Sequence, residues 1–283
     1  MIMSQKILQS FPEWAQWLHE NLARNCEPAA LANTLLENGF SQESISNAVA
    51  LFGKVPLKQH PPLQALPLDS QFHQMMNPFI TQEDNGYLVS RINTKKLQIY
   101  TIDNFLSPQE CESVIRLGEL RLRPSTVTIN NGDDAYRTSN SADLGLIENP
   151  FMRQIDEKIC HALGVSSGYG EVTQLQKYEV GQEFKNHTDY FEPNSGEYQN
   201  HAAHLGNRTW TFMVYLNTVA KGGGTCFPAL NHSFTPKQGQ AVVWNSCNHD
   251  GTVNPNTLHA GLPVESGVKY VITKWFRQRS STG

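Results

Sequence analysis

Thr209-Trp210-Thr211-Phe212-Met213-Val214-Tyr215-Leu216 is the stretch whose reading decides the fold. Trp210, Phe212, Val214 and Leu216 alternate with Thr209, Thr211, Met213 and Tyr215, the period-two pattern of a strand with two distinct faces. A short apolar strand from Gln240 to Trp244 and a longer one from Val268 to Phe276 follow, separated by turn residues, so the chain beyond Gly170 is rich in β-structure. Upstream the texture is helical. After an extended Leu97 to Ile102, Ser107-Pro108-Gln109-Glu110 is a capping box with proline at the first helical position, opening a helix expected to reach about Leu122. Asn149-Pro150 opens another, with Phe151, Met152, Ile155, Ile159 and Leu163 apolar before Gly164 ends it. Helices first and many short strands later, without regular alternation of the two, predict an α+β chain. Its core is a β-sandwich or barrel braced by helices and not a doubly wound sheet.

The amino-terminal 53 residues read as a separate three-helix module. Trp14, Trp17, Leu18 and Leu22 recur at helical spacing, Leu31 and Leu35 begin a second stripe that stops at Asn38-Gly39, and Ser41 caps a third. Phe40 before that cap and Ile45 inside it form a hydrophobic staple, and Ala48, Val49 and Phe52 continue the buried face. Five prolines between Pro56 and Pro78 exclude long helices and central strands, so 54–95 reads as a proline-rich linker with room for one short ordered piece, and 96–283 as the main domain. On this reading a chain starting near Leu88 keeps the β domain. Trp14, Trp17 and the staple around Phe40 offer an apolar surface, through which a homo-oligomer or a partner protein is expected to associate.

Composition narrows the function. The 283 residues carry 22 Lys and Arg against 26 Asp and Glu, a net charge of −4, which argues against nucleic acid or anionic lipid as a partner. No apolar run approaches the roughly 20 residues of a membrane span, and Met1 to Leu22 lacks the features of a signal peptide, so a cytoplasmic location away from membranes is expected. Five cysteines without a C-x-x-C pair point to reduced, buried thiols.

The chemistry converges on His187-Thr188-Asp189. In a strand, residues i and i+2 share a face, so imidazole and carboxylate project together. With His259 as a third ligand they make a 2-His-1-carboxylate triad, a set that leaves coordination positions open on a non-haem Fe(II). Ten residues beyond His259 lies Lys269, past the turn Glu265-Ser266-Gly267. A hairpin from about Leu258 to Phe276 would carry this buried cation near the third ligand, where it can hold a carboxylate. Zinc also accepts two histidines and a carboxylate, but no His-Glu-x-x-His is present. His201 and His204 fall in a polar stretch and read as solvated.

At these residues the sequence resembles the prolyl 4-hydroxylase branch of the Fe(II)- and 2-oxoglutarate-dependent dioxygenases, from about Gln98 to Arg277. The segment from Tyr178 to Asp189 stands where family members carry Tyr-x-x-Gly-x-x-Tyr-x-x-His-x-Asp, with Phe184 replacing the second tyrosine. Asn207-Arg208 precedes the family's strand. Gly222-Gly223-Gly224-Thr225-Cys226-Phe227-Pro228 resembles its Gly-Gly-Glu-Thr-x-Phe-Pro turn, with Gly224 in place of the glutamate. His259 to Lys269 matches His-x9-Lys, and Lys274-Trp275 the closing Lys-Trp.

The resemblance implies a double-stranded β-helix of jelly-roll or cupin type, with Fe(II) on the catalytic residues His187, Asp189 and His259. It implies 2-oxoglutarate paired with Lys269 and assisted by the hydroxyls of Tyr178 and Thr225, O2 as co-substrate, and ascorbate as reductant. Arg137 of the Arg-x-Ser after Asn130 to Asp134, Arg208 and Trp275 are the implied substrate-binding residues, for a proline-containing peptide or protein. The implied reaction is prolyl hydroxylation with succinate and CO2 as co-products. A free amino acid or other small molecule as substrate, or a catalytically silent partner-binding protein, are the alternatives.

Overall fold

The computed structural model describes residues 28–52, 86–125, 136–144, 149–193 and 195–281, with the isolated positions 7, 8, 14, 15, 18, 22, 75, 76 and 80. The chain divides into an amino-terminal unit that includes Met1–Pro61 and a larger one that includes Pro62–Ser125 and Asp134–Gly283.

In the amino-terminal unit, α1 (Pro28–Glu37) and α2 (Gln42–Phe52) are joined by a turn at Asn38-Gly39. The expected cap forms, with the Ser44 amide donating to Ser41 Oγ at 3.2 Å. Both members of the staple, Phe40 and Ile45, are buried, in one cluster with Leu8, Trp14, Leu18, Leu31, Leu35 and Ala48. The rings of Trp14 and Phe40 meet tilted by 54°, with centroids 5.3 Å apart. Trp17 and most of the first predicted helix lie outside the described residues, as does Asn130 to Asp134.

In chain order the larger unit carries β1 (Val89–Arg91), β2 (Ile99–Ile102), α3 (Pro108–Glu119), β3 (Arg123–Pro124), β4 (Asn140–Asp143) and α4 (Pro150–Leu163). Then follow β5 (Gln174–Tyr178), β6 (Phe184–His187), α5 (Gly196–His201), β7 (Arg208–Tyr215), β8 (Lys221–Gly222), β9 (Thr225–Phe227) and β10 (His232–Phe234). The last strands are β11 (Ala241–Asn245), β12 (His259–Gly261), β13 (Val264–Ser266) and β14 (Lys269–Arg277). The helix ends follow their caps. Ser107 and Glu110 close the capping box on α3, which stops at Glu119, short of the expected Leu122. Asn149 caps α4, and Gly164 ends it at φ 71°, a left-handed conformation that glycine adopts without steric cost.

The strands form an eight-stranded sheet in the order β1-β2-β11-β7-β14-β5-β4-β3 and a four-stranded sheet, β10-β9-β12-β6, with β13 and β8 paired apart. Every pairing of named strands is antiparallel. The alternation in β7 is used as the sequence predicts. Trp210, Phe212 and Val214 pack with Val114 of α3 and Ile155 and Ile159 of α4, while Met213 and Tyr215 join Phe227, Phe234 and Val264 from the smaller sheets. Gly118 lets α3 approach closely, since a Cβ there would meet Leu175 Cδ2 at 2.5 Å. This is the double-stranded β-helix braced by helices, with one core between large sheet and helices and a second between the sheets.

Two expectations need correction. The predicted linker over 54–95 is in part structural: β1 adds a strand to the large sheet, and Met75, Met76 and Ile80 are buried in its helix-side core. Proline density between Pro56 and Pro78 bars long helices and central strands, but neither a short edge strand beyond it nor isolated apolar side chains reaching a core. Nor does a hairpin run from Leu258 to Phe276. Strand β12 pairs with β6 and β9, β14 pairs with β5 and β7, and β13 between them pairs with β8. The chain switches sheets, so Lys269 reaches the site from the sheet facing His259.

Candidate active site

His187 ends β6, His259 begins β12, and the two are direct partners in register. Their rings lie 4.2 Å apart between centroids, and His259 Nε2 is 4.0 Å from Asp189 Oδ1. One ligand atom from each of His187, Asp189 and His259 lies within 4.8 Å of the others. Both Nδ1 atoms are held by backbone carbonyls two residues earlier, His187 by Lys185 O at 2.8 Å and His259 by Thr257 O at 2.9 Å. A carbonyl only accepts, so each Nδ1 carries the proton and each Nε2 keeps its lone pair for a metal. Burial, with His259, Arg137 and Arg208 adding to it, holds His187 well below the ordinary histidine range and so in the neutral form that ligates. Asp189 Oδ2 accepts from the Thr211 hydroxyl at 2.6 Å. Two imidazoles and a carboxylate converging around open space fit Fe(II).

Phe184 stacks on His187, with centroids 3.4 Å apart and planes 12° apart, and the Arg137 guanidinium lies 4.8 Å from the Phe184 centroid.

Lys269 opens β14 opposite Tyr178 on β5 and is 2% exposed. Its ammonium is 4.9 Å from the Tyr178 ring and 5.7 Å from the Tyr215 ring, and among the described residues no carboxylate pairs with it. Burial brings it down to about 7. A buried cation without a counter-ion is costly, and a carboxylate from a co-substrate offsets that cost. Beside it, Thr225 Oγ1 lies 2.6 Å from the Tyr215 hydroxyl. Gly261 lies next to it, a Cβ built there standing in ordinary contact with the Lys269 nitrogen at 3.7 Å. Tyr178 turns its ring toward Lys269, and its hydroxyl donates to Gln176 Oε1 at 2.9 Å.

His187, Asp189, His259, Lys269, Tyr178, Thr225, Arg137 and Trp275 all line one cavity. Arg208 does not. It is committed to Glu171 through two bonds of 2.7 Å, its guanidinium covers Trp275 at 4.2 Å and Phe191 at 4.9 Å, and Nη1 reaches the Asp189 carbonyl at 3.4 Å. Burial alone would raise Glu171, but Arg208 and Arg277 outweigh it and bring the carboxyl to about 2. The pair with Glu171 occupies the Nε–Nη2 edge of Arg208, and the guanidinium packs beneath Asp189 and Trp275. Sequence reasoning missed Thr211, Tyr215, Glu171 and Gln176. Thr211 and Tyr215 were findable, since they share the face of β7 opposite Phe212 and Val214.

Residues 173–277 match the model of the 2OG-Fe(II) oxygenase superfamily. Prolyl 4-hydroxylase 13 of Arabidopsis thaliana is 30% identical over 220 residues, spanning 70% of this chain and 78% of its own. The chain belongs to the prolyl 4-hydroxylase-like branch of this superfamily. The putative prolyl 4-hydroxylase of Acanthamoeba polyphaga mimivirus is 31% identical over 181 residues, covering 64% of this oxygenase and 74% of that protein. The viral collagen prolyl hydroxylase of Paramecium Bursaria Chlorella virus-1, solved as a 2OG complex, superposes with a TM-score of 0.51 at 27% identity, over 63% of this oxygenase and 95% of that chain. The protein is thus a 2-oxoglutarate-dependent dioxygenase that uses Fe(II).

Proposed function

We propose that this oxygenase hydroxylates a prolyl residue in a peptide or protein. Fe(II) is assigned to His187, Asp189 and His259, the distal carboxylate of 2-oxoglutarate to Lys269 with Thr225 and Tyr215, and the substrate side to Arg137 and Trp275. The observation that carries the assignment is the buried Lys269 side chain, paired with no carboxylate among the described residues, in the cavity that the histidine and aspartate ligands also line. When bound, Fe(II) with 2-oxoglutarate and O2 supplies the oxidising chemistry, with succinate and CO2 as co-products.

The chain's own residues orient and exclude. The carbonyls of Lys185 and Thr257 fix both imidazoles, and Thr211 fixes one carboxylate oxygen of Asp189. Phe184, Met213, Trp244 and Val271 give the cavity an apolar wall that limits water, which protects a reactive intermediate from side reactions. An arginine beside an aromatic wall suits an extended proline-containing chain: guanidinium donors take peptide carbonyls and the ring covers the pyrrolidine. The relatives' names support the prolyl substrate.

The test is a survey of proline-containing peptides with Fe(II), 2-oxoglutarate and O2, reading succinate release and one added oxygen by mass spectrometry. Stimulation by a peptide that gains oxygen on proline is expected. Stimulation by free amino acids or other metabolites alone would overturn the substrate assignment. Full succinate release after exchange of His187, Asp189 or His259 for alanine would overturn the iron assignment.

A further inference from the structure

Of the three ligands, His187 and His259 are fixed by the pairing of β6 with β12, whereas Asp189 lies beyond the end of β6 and belongs to no strand. Its backbone is held from the start of β7 instead. Two residues after Asp189, the Phe191 amide donates to Asn207 Oδ1 at 2.8 Å, and Asn207 Nδ2 donates back to the Phe191 carbonyl at 2.8 Å. Asn207 Oδ1 also accepts the Arg208 amide at 2.9 Å, and Arg208 Nη1 reaches the Asp189 carbonyl at 3.4 Å. Asn207 is 2% exposed and is itself anchored, its amide donating to Gln278 Oε1 at 2.8 Å and its carbonyl accepting from the Gln278 amide at 3.0 Å.

A carboxamide answers this arrangement and a carboxylate does not. Backbone N–H groups only donate and a carbonyl only accepts, so Asn207 must turn Oδ1 to the amides of Phe191 and Arg208 and Nδ2 to the Phe191 carbonyl. The Phe191 ring is a second anchor. It is 2% exposed, with the Arg208 and Arg277 guanidiniums 4.9 and 5.0 Å from its centroid and the His201 ring stacked at 5.5 Å. Backbone and side chain of Phe191 are both fixed, which leaves the short step back to Asp189 little freedom before Thr211 takes one carboxylate oxygen.

We propose that Asn207 is a positioning residue of the metal centre, whose amide clamps the backbone of Phe191 and thereby fixes Asp189, the ligand of the three that strand pairing does not hold. This rests on the assignment of Fe(II) to His187, Asp189 and His259 and is independent of the substrate. Through Gln278 the clamp also ties Asp189 to the chain that leaves β14, so the carboxylate keeps its place relative to the sheet that carries Lys269.

The experiment titrates Fe(II) anaerobically into the unaltered enzyme and into Asn207→Asp, Asn207→Ser, Asp189→Ala and Val114→Ala, with thermal melts of each and visible spectra of the Co(II)-loaded forms. Asn207→Asp keeps the size and the acceptor but sets an oxygen against the Phe191 carbonyl, and Asn207→Ser is too short to span both groups. Val114 belongs to the helix-side core and does not line the cavity, so its truncation is the control for lost stability alone. Asn207→Asp is expected to weaken Fe(II) binding by roughly tenfold, the lower end of what outer-shell partners of a metal contribute, with Asn207→Ser between it and the parent. Its Co(II) bands should change in the same direction as those of Asp189→Ala, while Val114→Ala should bind and absorb as the parent does even where its melt falls as far. Fe(II) affinity within about twofold of the parent in the Asn207 variants would overturn the inference, as would an equal loss in Val114→Ala. Should Asn207→Asp fail to fold, Asn207→Ser decides by the same criteria. Parent-like Fe(II) binding by Asp189→Ala would count against the iron assignment itself, whereas unaffected Asn207 variants beside a crippled Asp189→Ala would defeat the role of Asn207 alone.

Discussion

The Thr211 hydroxyl donates to Asp189 Oδ2 at 2.6 Å, and Asp189 Oδ1 faces His259 Nε2 at 4.0 Å, so one carboxylate oxygen is anchored and the other is presented. Thr211 sits on β7 opposite Trp275 of β14, which places its hydroxyl by sheet register and not by loop geometry. Removing a hydrogen bond to a metal-ligating carboxylate costs about 10- to 100-fold in metal affinity. Thr211→Val, close in shape, is therefore expected to weaken Fe(II) binding by at least roughly tenfold, with Thr211→Ser intermediate. Metal titration under anaerobic conditions measures it, and equal affinity in the valine variant would remove Thr211 from the site.

Lys269 sets a pH dependence. In the free protein burial holds it at about 7, whereas a bound carboxylate favours the charged form. Below about pH 7 the ammonium is already present and 2-oxoglutarate affinity should be flat; above it each binding event takes up a proton, and the apparent dissociation constant should rise by about tenfold per pH unit. Calorimetry at pH 8 in buffers of different ionisation enthalpy should show an uptake of about one proton, and Lys269→Met should lose the effect together with most of the affinity. An affinity independent of pH between 6 and 9 would reject the assignment; that interval brackets the value of about 7 for the buried lysine. The 2-oxoglutarate-free protein carries the converse signature. The unfolded chain binds this proton more tightly, so the penalty for burying a charged lysine is full below about 7 and fades as pH rises toward the ordinary lysine value.

Glu171 ties Arg208 and Arg277 together below the site. With the folded carboxyl at about 2, its stabilising effect is present above the ordinary carboxylate range and is lost as pH falls toward 2. Glu171→Gln leaves two buried guanidiniums without their anion and is expected to cost about 3–5 kcal/mol, as breaking buried pairs does. Thermal melts at pH 7 and pH 4 should show the deficit shrinking at the lower pH. A variant as stable as the parent at pH 7 would deny the cluster its supporting role.

The iron ligands were legible because they depend on strand periodicity and on spacing to Lys269, both visible in one dimension. How Lys269 arrives was not, because a hairpin and a change of sheet give the same spacing; pairing of β13 with β8 selects the second. The pairing of Arg208 with Glu171, 37 residues away in sequence, was not legible either, because only the folded sheet brings the two together. The proline-rich region misled in the same way. Its composition bars long helices and central strands, yet says nothing about where Met75, Met76 and Ile80 go.

Those three residues decide how much of the chain the oxygenase unit needs. A chain beginning near Leu88 retains every residue assigned to the site, but it loses Met75, Met76 and Ile80, exposed 4%, 2% and 1%. It also loses the Met75 carbonyl that accepts from Trp210 Nε1 at 2.9 Å. Full burial of a methionine or isoleucine side chain is worth about 1.5–3 kcal/mol, so three amount to roughly 5–9 kcal/mol, before the unpaired indole nitrogen is counted. That is comparable with the whole stability of an ordinary domain, about 5–15 kcal/mol. The Leu88 chain should therefore be insoluble or bind dye as a loosened core does, whereas a chain beginning at Pro62, where the larger unit begins, should stay folded and bind Fe(II) and 2-oxoglutarate. Size-exclusion chromatography, thermal melting and metal titration of the two chains separate the outcomes. A stable, iron-binding Leu88 chain would show that the core closes without the segment around Met75. A Pro62 chain that fails to fold would show that the amino-terminal helices are needed to complete the oxygenase unit.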